Sequence, residues 1–200
     1  MINIVGLTIG FSSSILILNY VYHEIKYDDF HEKSDRIYRM VGEGHMADGK
    51  VLTFAASAGE IPQVVLDNVP EVEECTRIYG VDEEAIRIGT RRFNTETVAW
   101  VDTSFFRIFS FSLLRGDPDQ VFQEPFSVVL SQDIAEKYFA DSAMNQTLKL
   151  NGRDHKVTGI MENMPANSHV NIDILVSFSS IIRPDYNVVE TTGSPFSSIT

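Results

Sequence analysis

The pattern of apolar and polar positions begins with a stretch, Met1 to Tyr22, that contains no charged side chain. As an α-helix rising about 1.5 Å per residue, this stretch is roughly 33 Å long, which matches a bilayer hydrocarbon core of about 30 Å. A segment that crosses a bilayer alone is helical, because hydrocarbon offers its backbone groups no water. We therefore predict a transmembrane helix over residues 1–22.

Two other interpretations of this stretch exist. A cleaved signal peptide normally has a basic start and a small-residue cleavage site, whereas here no Lys or Arg precedes the stretch and it ends in Tyr20-Val21-Tyr22-His23. A buried helix of a soluble domain is the second alternative, because six Asn, Thr and Ser residues make the stretch less apolar. Length and the absence of charge favour the membrane span.

Within the span, small residues recur at every fourth position, at Gly6, Gly10 and Ser14. This spacing places them on one helix face, where a second helix can approach closely. We expect this face to pack against another transmembrane helix, although small residues are also common in membrane helices that make no such contact.

Beyond the span, the pattern predicts a mixed α+β fold. Residues 23–35, dense in both charge signs, indicate a juxtamembrane stalk helix. The elements expected after it are strands at Ile37–Val41 and Val51–Ala55, a helix at Ser57–Val69 capped by Ser57 and stopped by Pro70, and a strand at Val72–Tyr79, giving a β-α-β unit.

The C-terminal half predicts short elements separated by turns. They are several short strands within Ala85–Val101 with a turn at Arg91-Arg92, a helix at Thr103–Phe109, a strand at Phe126–Leu130 leading into a helix capped by Ser131, a hairpin turn at Asn151-Gly152, and a strand at Ile172–Phe178.

Composition narrows the possible functions. A net charge of -12 argues against nucleic-acid binding and against a surface that docks onto anionic lipid headgroups. The single cysteine, Cys75, excludes an internal disulfide and a cysteine-based zinc site, and we expect it to be buried. Phosphate-binding glycine motifs and the nucleophile-elbow motif are absent from the sequence.

The remaining candidates for chemistry are weak. A metal site could draw on His23, Asp28, Asp29, His31 and Glu32, but a solvated charged face beside a membrane is the favoured interpretation. A Ser131, Asp133 and His155 or His169 triad is disfavoured, because Ser131 is better explained as a helix cap. The cluster Phe105, Phe106, Phe109 and Phe111 is expected in the core rather than at a ligand surface. We predict no catalytic residue, no cofactor and no metal.

Several segments, in order along nearly the whole chain, resemble the MacB-like permeases of FtsX-type ABC transporters, closest to the forms found in Bacteroidetes-like bacteria. They are INIVGLTIG at residues 2–10, YDDFHEKSDRIYR at 27–39, VDTSFFRIF at 101–109, LRGD at 114–117, VVLSQDIAEKYF at 128–139 and VTGIMENMPANSH at 157–169.

The resemblance implies that residues 36–200 form a periplasmic core domain. A porter-like α/β part, 36–102 and 170–200, would be split by an inserted small, mostly-β subdomain, 103–169. The family pattern also includes a basic cytoplasmic lead-in and three further spans. We therefore expect this sequence to be an N-terminal fragment of such a permease, with its porter-like part incomplete near Phe196–Thr200.

The resemblance also implies a mechanism and partners. A separate cytoplasmic ABC ATPase hydrolyses ATP, and a permease dimer in the bacterial inner membrane transmits its closure to domains on the periplasmic side. Those domains extrude a substrate, with a periplasmic adaptor or a substrate protein as a further partner. The alternative is a membrane-anchored extracytoplasmic sensor or ligand-binding module.

Overall fold

In a computed structural model, the structure describes residues 2–25, 28, 30–46, 49–54, 61–139, 142–165 and 167–182. Its first element is helix α1, Ile2–Ile25. Within α1, residues 4–22 are long and apolar enough to cross a membrane, and none of this stretch is buried against the rest of the chain. The prediction of one N-terminal apolar helix is confirmed.

The predicted stalk helix over residues 23–35 is wrong from Asp28 onwards. Asp28 has a φ of 58°, and a residue in this left-handed region cannot continue a right-handed helix. Residues 31–33 are bends and turns, followed by a single 3-10 turn at Ser34–Arg36. Charge density alone did not indicate where the helix ends.

Two strands and one helix follow along the chain. Strands β1, Gly42–His45, and β2, Val51–Phe54, pair antiparallel in a two-stranded sheet. Helix α2, Ile61–Asn68, ends before Pro70 as predicted, while the proposed cap Ser57 lies outside the described residues. The β-α-β prediction is wrong, because the strand after α2 begins only at Ile78 and belongs to another sheet.

Seven strands make up that second sheet. They are β3, Ile78–Ile88; β4, Arg91–Val101; β5, Leu113–Arg115; β6, Ser127–Ser131; β7, Thr147–Leu150; β8, Arg153–Met161; and β9, Ile174–Ser177. Their order is β5-β8-β6-β9-β4-β3-β7, and β7 pairs with β8 as well as with β3. Six strands therefore close into a barrel, and β5 extends it along β8. Two helices accompany it: α3, Phe105–Ile108, and α4, Gln132–Phe139.

Two hairpin turns show how local residues set the register. β3 and β4 are two strands of 11 residues, not several short ones, and they are joined at Gly89-Thr90 rather than at the predicted Arg91-Arg92. Gly89 has a φ of 57°, which a glycine adopts at no steric cost. The predicted turn at Asn151-Gly152 is confirmed, with φ of 49° and 77°.

Successive residues of the barrel strands face two separate cores. The interior core receives side chains from all six barrel strands: Ile86, Val98, Trp100, Val128, Leu130, Leu148, Leu150, Val157, Ile174 and Val176. The outer faces of β4, β6 and β9, through Ala99, Val129 and Leu175, pack in a second core with Phe105, Phe109 and Phe111. The prediction that the phenylalanine cluster is core is confirmed for these three residues, and Phe106 is partly buried against them. The predicted burial of Cys75 is also confirmed.

The sheet crosses the predicted boundaries at residues 102 and 170. β3, assigned to the porter-like part, pairs with β7 of the predicted insert, and β9, also assigned to the porter-like part, pairs with β6 of the insert. A boundary placed near the start of β3, after α2, agrees better with the pairing. The division of the chain into a porter-like part and an insert itself stays a prediction.

The predicted Ser131 cap is wrong. Ser131 ends β6, and its buried hydroxyl makes no hydrogen bond with any residue that the structure describes. The first turn of α4 is capped instead by Asn163, whose Oδ1 accepts a hydrogen bond from the Asp133 main-chain N–H at 3.0 Å. A capping side chain distant in sequence leaves no local pattern to detect.

Candidate functional site: the juxtamembrane junction

The segment that follows α1 is fixed to the barrel domain at two places. We call this contact the juxtamembrane junction, formed by residues 28 and 30–33 with the loops 107–111 and 167–169. At its first point, the Asp28 main-chain N–H donates to the Asn167 carbonyl oxygen at 3.0 Å. The Asp28 carboxylate accepts from the His169 main-chain N–H at 2.9 Å and from His169 Nδ1 at 2.6 Å. One acidic side chain thus secures a loop 141 residues away.

The second point is a buried histidine. His31 is 5% exposed, and its Nδ1 accepts a hydrogen bond from the Ser110 main-chain N–H at 3.1 Å. Burial lowers the pKa of His31, although the charge of Asp28 opposes this. The ring is therefore neutral at pH 7, with its proton on Nε2. Ser110 also accepts from the Glu32 main-chain N–H at 2.9 Å through its hydroxyl.

Aromatic rings pack around this histidine. The His31 ring centroid lies 5.3 Å from that of Phe109 and 5.1 Å from that of Phe111, and the Phe30 centroid lies 5.7 Å from that of Phe111. These phenylalanines belong to the second core. Aromatic contacts at such distances add to the free energy gained from burial. The junction is therefore an extension of the domain core towards α1.

Charged side chains surround the junction but contribute less to its stability than the aromatic packing does. The Lys33 Nζ donates to the Arg107 carbonyl oxygen at 2.9 Å, and Arg36 pairs with Glu73 at 2.5 Å. Arg107 pairs with Glu74 at 2.5 Å, and this hydrogen bond raises the pKa of Arg107. Because these pairs are exposed, water and salt weaken each of them to about 0–1 kcal/mol.

The helix-packing residues from the sequence lie where predicted on α1. A Cβ added at Gly6 or Gly10 would meet no atom within 4 Å, and the Ser14 hydroxyl donates to the Gly10 carbonyl oxygen at 2.9 Å. The face formed by Gly6, Gly10 and Ser14 is therefore open to a second helix. Its packing stays a prediction.

Among the described residues, the side chains proposed for a metal site or a catalytic triad do not form such a site. Over the described part of the chain, no group of three or more metal-ligating side chains is found. His31 and Asp28 are engaged in the junction, and Asp29 lies outside the described residues. Of the triad candidates, His169 binds Asp28, and His155 donates from Nδ1 to the Arg153 carbonyl oxygen.

Three of the segments that resemble the permease family meet at the junction. Phe30 and His31 come from residues 27–39, Phe109 from residues 101–109, and His169 from residues 157–169. The sequence did not predict that these segments touch. Their shared membership of one family pattern was the available signal, and such a pattern gives the order of segments rather than their contacts.

Comparison with known proteins identifies the family of the chain. Residues 1–196 match the family model described as the MacB-like periplasmic core domain. The chain belongs to this family. Its members are periplasmic domains of ABC-transporter permeases, so this MacB-like chain carries a permease domain after a helix that is long and apolar enough to cross a membrane. The family implies an ABC-transporter system with an ATPase partner. A search of curated proteins found no match.

Solved structures share the MacB-like fold. A domain of a protein assigned as a permease from Porphyromonas gingivalis superposes with a TM-score of 0.65 at 19% identity, over 78% of this chain and 69% of that one. The periplasmic region of MacB from Actinobacillus actinomycetemcomitans superposes with a TM-score of 0.55 at 18% identity, over 82% of this chain and 71% of that one. The extracellular domain of YknZ, a noncanonic ABC-type transporter from Gram-positive bacteria, superposes with a TM-score of 0.55 at 14% identity, over 82% of this chain and 79% of that one.

Proposed function

We propose that this chain is part of a non-catalytic permease subunit of an ABC-type efflux or extrusion system in the bacterial inner membrane. In this role, the periplasmic domain couples ATP hydrolysis by a separate cytoplasmic ATPase to substrate extrusion. Family membership supports the permease setting. The observation that carries the coupling role is the juxtamembrane junction, which joins the end of α1 to the barrel core.

The junction suits force transmission because it is short and fixed on both sides. Only residues 26 and 27 separate α1 from Asp28, which is bound to the 167–169 loop, and His31 lies buried among core aromatics. A freely jointed linker would absorb a movement of the helix, whereas hydrogen-bonded and packed side chains pass it on. A displacement of the membrane helix would therefore move the domain with it.

The proposal includes a permease dimer, with a periplasmic adaptor or a substrate protein as a further partner. The open face at Gly6, Gly10 and Ser14 supports helix packing in the membrane, because a Cβ at either glycine would point into open space. That packing can join this helix to other helices of the permease or to the second copy.

Replacing Gly6 and Gly10 together with Ile should weaken association of α1 with its partner helix about fivefold, which corresponds to roughly 1 kcal/mol. The bulky side chains would hold the two backbones apart. Fluorescence energy transfer between labelled copies of the chain in vesicles measures the association. The matched control is Thr8→Ile with Ser12→Ile, which adds bulk on the opposite side of the helix. Equal weakening by both double variants would contradict the packing role.

Replacing Asp28 with Ala should loosen the junction and uncouple the domain from the helix. The change removes two hydrogen bonds to His169, each worth about 0.5–1 kcal/mol because both are exposed to solvent. It also leaves a residue with a Cβ at a φ of 58°, without the local polar contacts that Asp provides there. Pulsed electron paramagnetic resonance between spin labels at positions 20 and 91 measures the spread of helix-to-domain distances.

In the membrane-embedded permease with its ATPase, wild type should give one narrow distance distribution and the Asp28→Ala variant a broad one. The variant should also lose most of the ATP-dependent movement of the domain while the ATPase still binds. Asp35→Ala is the control, because Asp35 is an exposed residue of the 3-10 turn. An unchanged distribution in the Asp28→Ala variant would contradict the coupling role. A specific saturating ligand found with no ATPase association would favour the sensor alternative.

A further inference from the structure

A cavity of about 300 Å³ opens beside the juxtamembrane junction, on the side of the buried His31. This volume lies at the lower end of the range typical of small-molecule sites. Its walls combine polar groups from residues 28–39 with apolar side chains from the second core. The proposed function makes no use of this cavity.

Three hydrogen-bond donors line the cavity without a partner among the described residues. His31 carries its proton on Nε2, because its Nδ1 accepts from Ser110. The Ser34 hydroxyl makes no hydrogen bond with any residue in the described ranges, while its main-chain N–H donates to the His31 carbonyl oxygen. The guanidinium of Arg39 forms no ion pair with any acidic side chain in the described ranges, and its side chain is exposed. A cavity lined by a cation and neutral donors fits an oxyanion.

One carboxylate, that of Asp28, also borders the cavity. Its two oxygens already accept hydrogen bonds from the main-chain N–H and the ring of His169. Those contacts offset its negative charge locally, since each donor brings a positive dipole to the carboxylate. The donors of His31, Ser34 and Arg39 therefore define what the cavity can hold.

The remaining wall is apolar, formed by Ile37, Phe109 and Val170. A purely ionic ligand gains nothing from such a wall, whereas an amphiphilic one buries its carbon atoms there. The cavity also lies close to the membrane, because Asp28 follows Tyr22, the end of the membrane-crossing stretch, by six residues. Three of them continue α1 and rise about 4.5 Å, and the other three span at most about 11 Å. The headgroup layer itself extends about 5–8 Å beyond the hydrocarbon core.

We propose that this cavity binds a phosphate group, with Arg39 as its principal charged contact and the Ser34 hydroxyl and His31 Nε2 as additional donors. A phospholipid headgroup and a free phosphate ester share this chemistry. The apolar wall and the nearby membrane favour the lipid as the source. The overall charge of -12 does not oppose this, because binding depends on donors collected in one cavity rather than on the charge of the whole surface.

The test uses the full chain in a neutral detergent, with binding followed by ³¹P nuclear magnetic resonance and by the ¹⁵N resonance of His31 Nε2. Three probes are compared: dihexanoyl phosphatidylglycerol, dihexanoylglycerol without phosphate, and inorganic phosphate. Arg39→Gln should weaken phosphate binding roughly tenfold to a hundredfold, the loss expected for a hydrogen bond to a charged group. Arg36→Gln is the matched control, because Arg36 is three residues away and pairs with Glu73 outside this cavity.

Binding of the phosphatidylglycerol, with loss in Arg39→Gln and not in Arg36→Gln, would support the proposal and assign the lipid as the source. Equal affinity for inorganic phosphate would support the phosphate site and overturn the lipid source. The proposal fails if neither phosphate probe shifts the His31 resonance, or if both Arg variants bind equally. Thermal unfolding of each variant confirms that its fold is intact. None of these outcomes depends on coupling to an ATPase.

Discussion

Replacing Trp100 with Ala should lower the free energy of unfolding by about 3–5 kcal/mol, the usual cost of truncating a fully buried large aromatic side chain. Trp100 is 0% exposed and lies in the interior core, to which all six barrel strands contribute. A cavity there removes contacts from several strands at once. Since whole domains are stable by only about 5–15 kcal/mol, this single change should remove a large part of the stability.

Trp100→Phe separates the loss of volume from the loss of the indole N–H. That N–H is buried and has no hydrogen-bond partner in the part of the chain that the structure describes, so its removal carries little cost. The Phe variant should therefore lose only roughly 1–2 kcal/mol. Trp100 is the single tryptophan, so urea unfolding is followed by circular dichroism rather than by fluorescence. Equal losses for the two variants would contradict the packing explanation.

Acid should destabilise the domain through His155, which is fully buried in β8. Burial lowers the pKa of His155 to about 4, against an ordinary value of 6.5. Above pH 6.5 the ring is neutral in both folded and unfolded chains. As the pH falls from 6.5 to 4, only the unfolded chain binds the proton, so stability is lost. The full loss is about 3 kcal/mol, at about 1.4 kcal/mol for each pH unit.

The measurement compares urea unfolding at pH 7 and pH 4 for wild type and His155→Leu. The variant removes the titrating group and puts an apolar side chain of similar bulk in its place. It should lose about 3 kcal/mol less than wild type over this pH range, whereas His45→Asn, at an exposed position of β1, should behave like wild type. A parallel loss in wild type and the His155→Leu variant would show that carboxylates account for the acid effect.

Local patterns explain what the sequence could predict. The charge-free run identified α1, Pro70 limited α2, and Asn151-Gly152 fixed the β7–β8 hairpin. Each of these signals acts within a few residues. The end of α1 was missed because it depends on Asp28, whose unusual backbone conformation is maintained by a partner far along the chain, His169.

The parts that could not be predicted depend on long-range pairing. Period-two alternation identifies strands but not their neighbours, so it did not show that β4 pairs with β9 or that β7 closes the barrel. The same limit applies to the junction, whose residues Phe30, His31 and Phe109 each look like ordinary core or surface positions in the sequence. The family pattern placed those segments in one domain, but it did not show that they touch.

The position of β9 has a consequence for how this domain is made. β9 is the last strand of the described chain, yet it lies in the middle of the sheet, parallel to β4 on one side and antiparallel to β6 on the other. Until residues 174–177 have been synthesised and exported, no strand lies between β4 and β6, and the barrel stays open there although β7 can already join β3 to β8. A polypeptide that must cross a membrane benefits from this delay, because an export channel threads an unfolded chain more easily than a closed barrel. Closure of the barrel therefore waits for β9 and depends on contacts of high sequence separation.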